Sequence, residues 1–167
     1  MARGFLEIDC KRIELTNEQV EQLLKEKEEV KKNPFDRVEY ANNYHYITSD
    51  GFVATTEEDN LKFDNMTYNV ANYCTDIKLM EQRALHEILD RLLWRFSMEN
   101  DGDKIDWNDE HQIKWYVLFN HKTNYFYVND ICNSHINAIY FHTKKIALRA
   151  IEKIIEPFMK EHPEFVW

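Results

Sequence analysis

Glycine is almost absent from this chain. Of 167 residues only Gly4, Gly51 and Gly102 are glycine. A P-loop or a dinucleotide-binding fingerprint needs clustered glycines so that backbone amides can approach a phosphate. Neither can be built from three glycines so far apart, and no other motif in the chain names a reaction.

The remaining composition describes a folding chain. Apolar residues make up 44% and aromatics 14%. A chain of this length buries roughly 70% of its unfolded surface. No apolar run approaches the roughly 20 residues of a membrane span, and Met1–Glu7 lacks the apolar stretch of a signal peptide. The expectation is a soluble protein of the cytoplasm with no membrane partner. Cys10, Cys74 and Cys132 are widely spaced, an odd number without C-x-x-C pairs, and read as reduced thiols rather than a disulfide framework or zinc ribbon.

Charge is concentrated in the middle. The net charge is −9. Residues 1–43 carry 8 basic and 10 acidic side chains, residues 44–110 carry 6 and 15, and residues 111–167 carry 7 and 5. Such a surface repels phosphate backbones and attracts basic protein grooves, so direct DNA binding is not expected.

Periodicity gives the elements. Phe5–Cys10 reads as a short strand. Thr16-Asn17-Glu18-Gln19 is a capping box opening a helix from about Asn17 to Lys32, with a narrow apolar stripe of Val20, Leu23, Leu24 and Val30 that Asn33-Pro34 stops. Tyr44–Ile47 and Phe52–Thr55 flank Asp50-Gly51 as a hairpin. Residues 56–66 read as a polar connection and Thr67–Tyr73 as a third strand. Asp76 caps a long helix to about Met98, with Ile77, Ala84, Leu85, Ile88, Leu89, Leu92 and Phe96 at helical spacing. Lys114–Phe119 and Tyr125–Asn129 form a second hairpin, and Ile136–Phe141 a further strand. Thr143 caps a helix whose inner face is Ala147, Ala150, Ile151, Ile154 and Ile155, with Pro157 ending or kinking it.

The two corners match at one offset. Cys74-Thr75-Asp76 followed by Met80 and Ala84 parallels Phe141-His142-Thr143 followed by Ala147 and Ile151, 67 residues later, a weak internal duplication. The expected fold is α+β: two successive antiparallel ββ(β)α units sharing a core, plus an N-terminal strand and helix. The expected divisions are an appendage at 1–43, a first unit at 44–98, an acidic loop at 99–110 and a second unit at 111–167.

Tyr44-His45-Tyr46-Ile47-x-Ser49-Asp50-Gly51, Tyr68, Asn72, Arg95-Phe96, Asp106-Trp107-x-Asp109, Gln112-x-Lys114-x-Tyr116 and Ile139-Tyr140-Phe141 carry a resemblance. Together with the helix containing Ala147, Ala150 and Ile151, this pattern resembles uncharacterised accessory proteins of phages and prophages of Gram-positive bacteria. It covers roughly residues 44–155. It departs at Ala71, where that group has glycine, and at Cys74, where it has phenylalanine. The shared positions are turns, corners and aromatic strand sites, and transfer no catalytic residue. The resemblance implies a phage accessory protein acting in the host cytoplasm.

Three constellations touch on chemistry. His86 and Asp90, with Glu87 between them, share a helix face one turn apart, as metal ligands do. Arg83 lies on the same face and no third ligand follows, so a solvated face with i,i+4 pairs is the reading. Cys132-Asn133-Ser134-His135 has the spacing of half a zinc site without a second half. Asp101-Gly102-Asp103 suggests a calcium loop, but with Gly102 at position 6 the required carboxylate positions 1 and 12 fall on Ser97 and Asn108. No catalytic, metal or cofactor site is expected.

Two acidic runs remain, Glu57-Glu58-Asp59 with Asp64, and Glu99, Asp101, Asp103, Asp106, Asp109 and Glu110. They read either as solvated loops or as a carboxylate array entering a basic groove on another protein. Trp107 inside the second run and Trp94 opposite the apolar helix stripe are candidate interface anchors; for Trp94 the alternative is packing under the N-terminal helix. The expected function is a non-enzymatic, anti-CRISPR-like inhibitor that occludes a basic groove of a host protein or ribonucleoprotein effector complex. The alternatives are a small metal-dependent phage hydrolase using His86, Glu87 and Asp90, or a self-associating structural protein, a homodimer through the N-terminal helix.

Overall fold

The computed structural model describes residues 5–8, 11–21, 33–133 and 138–166. The chain divides into two compact units, Met1–Asp36 and Arg37–Trp167. The second begins at Arg37 rather than at the expected residue 44, because the Arg37 guanidinium is tied to Glu58 and Asn65 and the Ala41 N–H donates to the Glu58 carbonyl.

In the first unit, β1 (Phe5–Ile8) pairs antiparallel with β2 (Lys11–Glu14). The second of these strands was not expected from the sequence. The capping box forms as read: the Gln19 N–H donates to Thr16 Oγ1 at 3.3 Å and the Thr16 N–H to Gln19 Oε1 at 3.0 Å. Residues 17–21 are helical. Cys10 and the rest of the expected helix lie outside the described residues.

The second unit is α+β, as the patterning requires. β3 (Asn43–Ile47) and β4 (Val53–Glu57) form the first hairpin. Gly51 makes its turn at φ +91°, where a side chain would be strained and would also press on Ile88. β5 (Lys114–Asn120) and β6 (Tyr125–Ile131) form the second hairpin.

Among the described residues neither expected third strand exists in that form; Ile136 and Asn137 of the second lie outside them. α1 (Lys62–Asn69) takes the first three residues of the first, Thr67–Asn69, and the rest of it is turn and irregular chain. Its inward residues are Asp64 and Thr67, while Phe63, Met66 and Val70 are exposed, so its hydrophobic periodicity misleads. Residues 138–140 are irregular, and Phe141 makes a single antiparallel bridge to Trp115. Cys74 makes the matching bridge to His45, with both backbone bonds formed at 2.7 and 3.0 Å. The Asn72 side-chain amide extends that pairing, accepting from the Ile47 N–H and donating to the Ile47 carbonyl. A strand's hydrogen bonds are thus supplied by one residue and one side chain.

The bridges lead into the two capped helices at the same 67-residue offset. Asp76 caps α2 (Ile77–Glu99), accepting from the Lys78 and Leu79 N–H groups. Thr143 caps α3 (Lys144–Ala150), accepting from the Ile146 N–H. Met80 and Ala84 are buried, as are Ala147 and Ile151 at the equivalent positions. Ala71, at φ +56°, holds a left-handed conformation that glycine adopts without strain.

α2 spans two apolar clusters. Met80 and Ala84 pack with Ile47 and Cys74. Leu89, Leu93 and Phe96 pack with Phe141 and the helix after it, backed by Trp115, Val117, Phe126 and Val128 of the second hairpin. Ile77, expected inward, is 42% exposed, and Leu93 is buried instead. Pro157 does not end its helix. It lacks the N–H that would bond to residue 153, and the chain passes through a π turn, Ile151–Ile155, in which the Glu156 N–H reaches the Ile151 carbonyl. α4 (Glu156–Glu161) then continues. The π turn keeps Ile151, Ile155 and Phe158 all buried.

Candidate functional site

The two acidic runs meet opposite fates. In the first, Glu58 is fully buried and Asp64 is 3% exposed. Neither can form part of a contact surface, which corrects the expectation for both. The Arg37 guanidinium grips both Glu58 oxygens at 2.8 and 2.9 Å, and the Tyr73 hydroxyl and Asn60 N–H also donate to them. Asp64 accepts from the Tyr44 hydroxyl at 2.7 Å and from the Leu61 and Asp59 N–H groups. Tyr44 stacks on Tyr73 with ring centroids 3.9 Å apart.

A buried charge is tolerated only when paired and hydrogen-bonded, and both conditions hold here. Arg37 draws the Glu58 carboxyl below the usual range against the cost of burial. Burial pushes Asp64 up, but the Tyr44 hydroxyl and two backbone amides outweigh it and leave Asp64 lowered. Burial, together with the Asp64 carboxylate, raises Tyr44 strongly. These groups hold the fold. Only Glu57 and Asp59 of the first run are exposed.

The second run faces outward. Glu99, Asp101, Asp103, Asp106, Asp109 and Glu110 are all exposed, and so are Trp107 at 58% and Trp94 at 61%. The loop is nonetheless built rather than loose. Asp101 turns left-handed at φ +67°, and Gly102 passes so close to the Ser97 carbonyl that a Cβ there would lie 2.7 Å from it. A 3-10 turn, Gly102–Lys104, follows, and buried Ile105 anchors its end.

Gln112 clamps the middle of the loop. It accepts from the Asp106 N–H at 2.7 Å and donates to the Lys104 carbonyl at 3.0 Å. Asp106 and Asp109 each accept a backbone N–H two residues ahead, at 2.8 Å. Lys104 pairs with Asp101 at 2.7 Å and lowers its carboxyl pKa. Trp107 packs edge-on against buried Tyr140, 5.5 Å between centroids. Beneath the loop, Lys114 is 2% exposed and donates to the Asp109 and Gln112 carbonyls. The sequence signal for Lys114 was a lysine heading the aromatic strand Trp115–Phe119; its burial was not foreseen, nor that of Glu58.

The remaining candidates are occupied by packing or lie apart. The His86 ring packs on Phe165, 4.6 Å between centroids. Glu87 is paired with Arg83 and Arg91. Asp90 is raised by burial, partly offset by His86 and Arg83. Cys132 is exposed and Cys74 buried, and His135 lies outside the described residues. Among the described residues no group of three or more His, Cys, Asp or Glu side chains is placed to hold a metal ion. No helix of the described residues is long and apolar enough to cross a membrane. Comparison of the chain with protein families, with curated proteins and with solved structures finds no match.

Proposed function

We propose that the chain is a non-enzymatic binding protein that offers the 99–110 loop to a basic surface of another protein. The supporting observation is the 99–110 segment itself, which exposes six carboxylates and an indole on a loop whose backbone is tied by Gln112 and Lys114. A loop whose backbone is already tied down loses less conformational entropy on binding. Its charge steers it toward cationic grooves, and Trp107 can serve as the anchor that such contacts use. Proteins that hold nucleic acid do so with surfaces of that sign, lined by Lys and Arg that neutralise phosphates. The phage-like pattern of residues 44–155 makes a host nucleic-acid-targeting defence complex the concrete partner, with steric occlusion as the mechanism.

The test is capture of proteins from a Gram-positive host lysate by the tagged chain at low and high salt, followed by displacement of DNA or guide RNA from the captured complex. The expected result is a nucleic-acid-binding partner held at low salt, released at high salt, and unable to hold its nucleic acid while bound. A partner held equally at high salt, or one that still binds its nucleic acid, contradicts the reading.

A further inference from the structure

Lys114 poses a problem that the partner reading does not address. Its ammonium is buried, and its described hydrogen-bond partners are two neutral carbonyls, at 3.1 and 3.3 Å. Among the described residues no ion pair includes it. The carboxylates nearest in sequence are turned elsewhere: Asp109 accepts from the His111 N–H, and Glu110 leans toward the His111 ring. A buried cation gains most from a negative partner, and an ammonium has three N–H donors.

A cavity of about 320 Å³ opens beside it, lined by Lys114, Trp107, Asn108, Cys132 and Asn133 and, at its rim, by the carboxylates Asp109 and Glu110. That volume lies at the lower end for small-molecule sites. The Lys114 ammonium also lies over the Trp107 indole, 5.6 Å from the ring centroid, a cation–π contact that carries no negative charge. Cys132, just past the end of β6, lines the same cavity.

We propose that this cavity is a binding site for a small carboxylate, its charge on Lys114 and its planar or apolar body against Trp107. The site stands independently of any protein partner.

Cys132 supplies the test in the reduced full-length chain. Alkylation of that thiol, followed by peptide mapping, is compared for anionic iodoacetate and neutral iodoacetamide, with glutathione as the free-thiol reference. Iodoacetamide reports access alone. The expected iodoacetate-to-iodoacetamide rate ratio at Cys132 exceeds that of glutathione by about fivefold, the effect of one nearby unit charge in water. Benzoate should return the ratio to the glutathione value, and its neutral counterpart benzamide should not. Lys114→Met, which keeps the apolar stem, should remove the excess; if that variant does not fold, the benzoate and benzamide arms on the unaltered chain still decide. A ratio at or below that of glutathione would mean that the rim carboxylates dominate, and it overturns the proposal. So does an excess that benzoate leaves unmoved.

Discussion

The runs at 57–64 and 99–110 look alike in sequence and do different things in space. Glu58 and Asp64 are drawn inward and neutralised by Arg37, by two tyrosine hydroxyls and by backbone amides. The carboxylates of 99–110 meet local backbone N–H groups, one exposed lysine or the exposed His111 ring, and stay in solvent. The difference lies in what surrounds each run. The first is flanked by Arg37, Tyr44 and Tyr73, which together supply a cation and two hydroxyl donors. The second is flanked by a helix end and a strand, with its one lysine in the loop itself already paired with Asp101. An acidic run is therefore part of the core or part of the surface according to the donors that the fold brings to it.

The contrast is broken most severely at Arg37. Arg37→Met leaves Glu58 fully buried and without its cation. Removing one partner of a fully buried pair costs about 3 kcal/mol or more; Arg37 is 30% exposed, so thermal or urea unfolding should show a loss that approaches that figure without exceeding it. Replacing Glu58 by leucine in the same chain should restore part of it. Asp64→Asn comes next. It keeps one acceptor oxygen where the carboxylate has two, and sets an amide N–H₂ against groups that themselves donate. The expected loss is about 1–3 kcal/mol, read from the same unfolding curves.

Acid should separate the two runs without mutation. Glu58 and Asp64 have lower pKa values folded than unfolded. Their contribution is therefore complete above the unfolded carboxylate range and is lost as pH falls through the lowered folded values. Stability should decline below about pH 4, and the Arg37→Met chain should decline less steeply, because its Glu58 carboxyl is no longer held down by the guanidinium. The smallest effect belongs to the second run. Converting Glu99, Asp103 and Glu110 to Gln, Asn and Gln should change stability by no more than about 0.5 kcal/mol, as exposed positions do.

The sequence makes legible those elements whose signals are local. Thr16 with Gln19, Asp76 and Thr143 announce their caps by residue type, and all three form. Asp50-Gly51 announces its turn. The 67-residue correspondence of corners is visible in both the caps and the single-residue bridges. What stays hidden depends on tertiary pairing. α1 turns Asp64 and Thr67 inward and leaves Phe63, Met66 and Val70 outside, so hydrophobic periodicity points the wrong way. Its helix start rests on the Asp64 carboxylate at the Leu61 N–H, half of a capping box whose first residue is a leucine. The expected strand at 67–73 is replaced by Asn72 and Cys74, and no pattern marks an amide that substitutes for a strand. In the candidate site, the outward set Trp94, Trp107 and the six loop carboxylates stands where the sequence suggested, whereas Glu58, Asp64 and Lys114 are buried through neighbours far along the chain or around a loop.

The most direct measurement is partner capture by three chains under one low-salt condition: the unaltered protein, Glu57→Gln with Asp59→Asn, and the loop variant with Glu99, Asp103 and Glu110 neutralised. All three should fold with closely similar stability. Loss of the partner by the loop variant alone is the expected result. Equal capture by the loop variant, or loss confined to the Glu57 and Asp59 variant, contradicts the assignment of the 99–110 loop as the contact surface.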